Sequence, residues 1–210
     1  RGERSVGMFT STSGGSRDFT LSNVSILSGG SAGALAYRID AGKGVSNIHV
    51  TGSVTSVGGG GQVGGLIGWN DQTSISNSSS TATVTGFGEV GGLVGRLRAG
   101  SITNSYATGA VSGTEDFVGG LVGGTYQGGS LTNVYASGNV TGTTNVGGLV
   151  GGDAGAANGV TSTAPSVTNA YWDVDSTGQG TSFAGTGIAN ANGYTQSTYS
   201  GFDFSNTWVI

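Results

Sequence analysis

Val90-Gly91-Gly92-Leu93-Val94-Gly95 decides the reading of this chain, because it recurs. Val63-Gly64-Gly65-Leu66-Ile67-Gly68 precedes it, and Val118 to Gly123 and Val146 to Gly151 repeat it letter for letter. Degraded copies stand at Ala32-Gly33-Ala34-Leu35-Ala36-Tyr37 and Val6-Gly7-Met8-Phe9. The copies begin at residues 6, 32, 63, 90, 118 and 146, about 28 residues apart. A fixed period of that size marks a repeat architecture. The block itself forms neither G-x-G-x-x-G nor a P-loop, and no helical pattern follows it, so it is not read as a phosphate-binding loop.

A second landmark travels with the first: an apolar residue, Ser or Thr, then Asn. It gives a column of Asn23, Asn47, Asn77, Asn104, Asn133 and Asn169. Two positions on stand Ser25, His49, Ser79, Tyr106, Tyr135 and Tyr171, and seven beyond the Asn comes Val54, Val84, Val111 or Val140. Distances within this half of the repeat are fixed, while length varies in the segment before it. Stacked coils behave this way, with strands in register and insertions pushed into a corner.

The segments are short, rich in Val, Ile, Thr and Tyr, and punctuated by Gly, Ser and Asn, which argues for strands. A helix carrying this much glycine would lose about 1 kcal/mol per Gly relative to Ala. The expected fold is all-β: a parallel β-solenoid, right-handed by default, of about six coils with three short strands each. Repeats are expected over residues 1–172, with an insertion at 152–165 where the period breaks. Residues 173–210 are expected to form a C-terminal cap, because Phe202, Phe204, Trp208 and Ile210 cluster after the last repeat and an open solenoid end exposes its core.

Alternation suggests what each position does. The phase Val50, Gly52, Val54 and its equivalents fit a narrow interior. The opposite phase carries Thr51, Thr81, Thr83, Thr85, Thr108 and Thr141, a flat hydroxyl-bearing outer face. In the Gly-Gly-Leu strand, apolar residues occupy both phases, implying burial on both sides or a bend in mid-strand. If both sides are covered, the row Leu35, Leu66, Leu93, Leu121 and Leu149 must be covered from outside the coil, by the chain's ends or another molecule.

Composition narrows function. With 45 Gly but one Pro and no triplet repeat, the chain is not collagen. Its net charge of −4 is too low for the usual disordered signature and offers nucleic acid nothing. No apolar run approaches the roughly 18–20 residues that span a bilayer, so no membrane insertion is expected. The chain opens at Arg1 without an initiator Met, as expected of either a processed product or a piece of a longer protein. Abundant Ser, Thr, Gly and Asn suit a secreted or surface-exposed protein. All seven basic residues lie between Arg1 and Arg98, whereas Ala99 to Ile210 holds six acidic ones and no Lys or Arg.

The Val-Gly-Gly-Leu-Val-Gly blocks, with Ile-Thr-Asn-Ser-Tyr-Ala-Thr-Gly at 102–109, resemble the GLUG-motif repeats of bacterial surface proteins. The segment Ala170-Tyr171-Trp172-Asp173 through Ser176-Thr177-Gly178-Gln179 to Phe202-Asp203-Phe204 and Trp208 resembles the close of such arrays. That family includes filamentous-haemagglutinin-like adhesins and some extracellular peptidases. The resemblance implies a β-solenoid stalk rather than a catalytic part.

Candidate sites are few. The Asn column reads as a buried amide ladder between coils; inward asparagines would be closed to glycosylation at the N-x-Ser/Thr matches Asn23 and Asn77. Asp173 and Asp175 offer a faint calcium loop without the bidentate Glu a real one supplies, so an Asx-rich turn is the plainer reading. His49 is the sole histidine and comes without a nucleophile-elbow motif. No cofactor or metal is expected, and no enzyme. The expected function is a structural or adhesive extracellular solenoid, either a stalk module or a subunit of a head-to-tail filament. Its partners would be itself or a host-surface or matrix ligand. The alternative is ice binding through the Thr/Ser face, and polysaccharide binding or degradation ranks lower.

Overall fold

A computed structural model describes residues 5–11, 15–189 and 195–204. The chain winds as a parallel β-solenoid. Three sheets run along its axis: one of six strands, one of five and one of eleven. Every inter-strand pair is parallel and joins neighbouring coils. The coil beginning at Val90 shows the plan. Val90–Gly91 lies in the five-stranded sheet, Val94–Arg98 in the six-stranded one, and Ser101–Ala107 and Val111–Gly113 in the largest. The repeated landmarks stack on one another: Val63, Val90, Val118 and Val146 in one column, Ile75, Ile102, Leu131 and Val167 in another.

The Gly-Gly-Leu block bends. Its first Val-Gly pairs in one sheet and its second Val-Gly in the next, with the corner between. The carbonyls of Leu93, Leu121 and Leu149 each accept two backbone N–H groups from the preceding coil: Leu66 and Ile67 donate to Leu93, Leu93 and Val94 to Leu121, and Leu121 and Val122 to Leu149. The corner turns Leu35, Leu66, Leu93, Leu121 and Leu149 inward, and each is 0% exposed. The leucine row is therefore core, closed by its own coil, and offers no outer interaction surface.

The glycines are required by closeness. A Cβ on Gly91 would lie 2.6 Å from the Gly123 nitrogen, and one on Gly123 would lie 2.5 Å from the Val90 nitrogen. A Cβ on Gly92 would collide with the Gly120 carbonyl above it. Backbone meets backbone on both arms of the corner, so no side chain fits.

In the largest sheet, the coils from Ser74 to Thr141 contribute two or three short segments each rather than one continuous strand. Ser79–Ser80 and Thr83–Gly86 are separate, with a bend at Thr81 and Ala82; Gly109 and Gly138 occupy the same bend in later coils. Cβ atoms at Gly109 and Gly138 would strike the carbonyls of Ala82 and Gly109 below them. Only Ser16–Ser28 and Gly44–Ser56 run through as single strands.

The last coil is closed by residues 172–188. Trp172 occupies the register position held by Ala107 and Ala136 in earlier coils. A small residue is needed there while another coil stacks above; with none above, the indole fills the space and is 5% exposed. Its Nε1 donates to the Gln179 carbonyl at 2.8 Å, and Gln179 Nε2 donates to the Val140 carbonyl at 2.9 Å. Ser182 Oγ accepts from the nitrogens of Leu149 and Val150, and Thr186–Ile188 adds a final strand to Tyr171–Asp173. The aromatic tail does something else. Phe202 and Phe204 surround Tyr199, whose ring packs edge-on against Tyr135 and Tyr171 at 5.8 and 5.5 Å. Those tyrosines stand in an outer column, so the tail lies along the side of the solenoid instead of across its end. Trp208 and Ile210 lie outside the described residues.

Candidate functional site

The outer surface, not the interior, carries the chemistry. The Asn column is the first correction. Asn23, Asn47 and Asn77 are exposed and Asn104, Asn133 and Asn169 half-buried. All six have φ between +46° and +54°. Asn is the residue whose short amide tolerates this left-handed turn best after glycine. The column bends the chain while its amides face outward. A ladder does form on part of it: Asn133 Nδ2 donates to Asn104 Oδ1 at 3.0 Å, and Asn169 Nδ2 to Asn133 Oδ1 at 2.9 Å. Burial therefore gives no ground for discounting Asn23 or Asn77 as modification sites. Replacing Asn104 by Val is expected to cost about 1–2 kcal/mol more than replacing it by Gly, measured by denaturant unfolding.

The threonine files are divided. Thr51, Thr81 and Thr108 stand at or before the bend, and Thr83, Thr85 and Thr141 beyond it, with Ser112 standing between Thr85 and Thr141 in register. Asp173 is committed locally: its Oδ1 accepts from the nitrogens of Asp175 and Ser176 at 2.9 and 3.0 Å, capping the single turn Val174–Thr177. No group of three or more His, Cys, Asp or Glu able to hold a metal is gathered among the described residues. His49 lies between Ser79 Oγ, 2.8 Å from Nδ1, and Asn47 Oδ1, 3.3 Å from Nε2. Ser79 is only 2% exposed, so it is not presented to a substrate as a nucleophile.

The coils gather charged residues on the outer face of the six-stranded sheet. Arg38, Trp69 and Arg96 share one register column, and Asp71, Arg98 and Tyr126 share another. The guanidiniums of Arg38 and Arg96 lie 4.6 and 5.1 Å from the Trp69 ring, and Arg96 lies 5.4 Å from Tyr126. Asp71 is nearly buried and accepts from Arg38 at 2.8 Å and Arg98 at 2.9 Å. Arg96 is paired with the buried Glu89. Burial opposes the Arg96 charge, but the hydrogen bond and charge of Glu89 outweigh it and hold the pKa above its usual value. The signal was available: Arg38, Trp69 and Arg96 stand two residues after Ala36, Ile67 and Val94. Aligning the coils by that offset would have stacked them.

On the opposite side, Tyr135 is the perturbed group. Burial raises its phenol pKa well above the ordinary value of about 10, and Tyr199 adds to the shift. A raised folded pKa contributes stability that is complete below the unfolded value and lost as pH rises through the folded one. The tail is thus expected to hold at neutral pH and loosen in strong alkali. Near-ultraviolet titration should show one late-ionising tyrosine that Tyr135→Phe removes.

A family model described as the GLUG motif matches residues 59–85, 88–112 and 118–141, each match covering nearly all of one coil. No curated protein matches the sequence. Among solved structures, a Bacteroides ovatus protein provisionally named an immunoglobulin A1 protease aligns with a TM-score of 0.56 at 22% identity. The alignment spans 82% of this chain and 66% of that one, just under two thirds of its length. Likeness at that identity carries the fold and not the activity. The chain is a parallel β-solenoid, three successive coils of which match the GLUG motif.

Proposed function

We propose that this solenoid is a non-enzymatic structural module of a secreted bacterial surface protein, a stiff stalk that holds or forms part of an adhesive surface. The observation that carries this reading is the parallel stacking of the coils, with a filled interior and backbone bonds running from coil to coil along the axis. Composition supports an extracellular setting, and among the described residues no helix is long and apolar enough to cross a membrane. The charged face supports a structural role as well, because Glu89 and Asp71 are consumed in ion pairs with arginines. The stalk reading is favoured over a head-to-tail filament because Trp172, Gln179 and Ser182 occupy the end against which the next subunit would pair.

Two measurements test it. Pulled from its termini in a force spectrometer, the chain is expected to resist and then release whole coils, each lengthening it by about 9–10 nm. A screen against proteins and polysaccharides is expected to show no turnover. Turnover that disappears on replacing Glu89 or Asp71 would overturn the reading. So would extension without resistance. Thermal hysteresis is expected to be absent, since the bend breaks the threonine files into two narrow strips.

A further inference from the structure

One surface lies apart from the charged face and the tyrosine column. At the corner between the six-stranded and largest sheets, a groove of about 440 Å³ runs parallel to the axis across four coils. Its bed is rigid. Gly42, Gln72, Ala99 and Gly129 turn there with φ of +78°, +54°, +45° and +120°. Ser101 N donates to Thr73 O at 3.1 Å and Ser130 N to Gly100 O at 2.9 Å, tying one corner to the next. Asn70 braces the bed by exchanging two 3.0 Å hydrogen bonds with the Thr73 backbone. Beyond Gln127 and Gly128 the insertion rises: Ser162 Oγ accepts from Gln127 N at 3.0 Å, and Thr163 lies beside Gly128.

Of the polar side chains that line the groove, Thr73 is held by the Asp40 carbonyl at 2.9 Å, and the others are unengaged among the described residues. Ser74, Ser101 and Ser130 stand in register, one per coil, about 4.8 Å apart. Their hydroxyls bond to no other described residue. Lys43, the only lysine in the chain, lines the groove at the opposite end from the insertion and makes no ion pair among the described residues. Gln72 adds an unengaged side-chain amide. In an acidic protein, an unpaired ammonium beside a row of free hydroxyls selects for a ligand that carries both carboxylates and hydroxyls.

We infer that this groove binds an extended acidic oligosaccharide along the solenoid axis, with a carboxylate at Lys43 and sugar hydroxyls against Ser74, Ser101 and Ser130. The stepped hydroxyls match a polymer that advances by about one sugar per coil, and the preformed bed spares the protein the cost of ordering on binding. The inference is independent of the stalk reading, since a stalk without this site and a solenoid with it are both self-consistent.

Affinity electrophoresis through polygalacturonate, with hydroxyethyl cellulose as the neutral comparison, tests it. The intact chain should be retarded by polygalacturonate alone, and less so as salt is added. Ser74→Trp fills an exposed position in the groove and should weaken retardation about tenfold or more. Lys43→Gln should weaken it about three- to fivefold, the worth of one exposed ion pair. Thr83→Trp, outside the groove, serves as the bulky control and should bind as the parent does. Thermal unfolding of each variant checks that it is folded. No retardation by polygalacturonate, equal retardation of Ser74→Trp, or binding of the neutral polymer that Lys43→Gln leaves unchanged would each overturn the inference.

Discussion

Gly119→Ala is expected to destabilise the solenoid by about 4 kcal/mol, enough to leave the central coils unfolded in a chain of ordinary stability. The new Cβ would fall on the Val122 carbonyl and lie 2.7 Å from the Gly151 nitrogen. Both are backbone atoms of the corner, and neither can rotate away as a side-chain tip would. Relief requires the two arms of the corner to part, which breaks the pairing of Val118 with Val90 and Val146 on either side. Gly59→Ala is the control: a Cβ there meets nothing within 4 Å, so its cost should stay within about 0.5 kcal/mol. Urea unfolding of the two variants distinguishes steric exclusion from a mere preference for glycine. Equal costs would show that the corner yields.

Leu121→Ala is expected to cost about 3–5 kcal/mol, the range for removing a fully buried leucine without collapse of the surroundings. Leu121 is 0% exposed and its interior neighbours Val118, Val122 and Ala136 belong to the same closed core. Collapse is limited because its backbone is held on both sides, to Leu93 and to Leu149. The oligomeric state should not change. Had the leucine row been an outer contact, the substitution would have altered association and spared stability. Sedimentation and denaturant unfolding of the same variant separate these outcomes.

These two residues show how far the sequence reaches. The Val-Gly-Gly-Leu-Val-Gly period and the Asn column, taken together, fix the parallel solenoid, the coil length and the stacking partners, because identical residues at one period can only be satisfied by lying over one another. Trp172 was legible as part of a close to the array. The charged face was legible in principle, since Arg38, Trp69 and Arg96 hold the same offset in successive coils.

Other features depended on angles that periodicity does not encode. Alternation assumes an extended strand, and it fails wherever the chain turns within a segment. At Leu93 the corner rotates both apolar phases inward, so a row that alternation places outside is core. At Asn104 the chain turns with a positive φ, so an amide column whose recurrence suggests a buried ladder stands at the surface, half-buried at most. Phe202 and Phe204 could be recognised as apolar and terminal, but only the tertiary structure decided that they lie along the Tyr135 and Tyr171 column. The groove beside Lys43 has the same origin: its serines are ordinary in sequence, and the αL corners that line them up exist only once the coils are stacked.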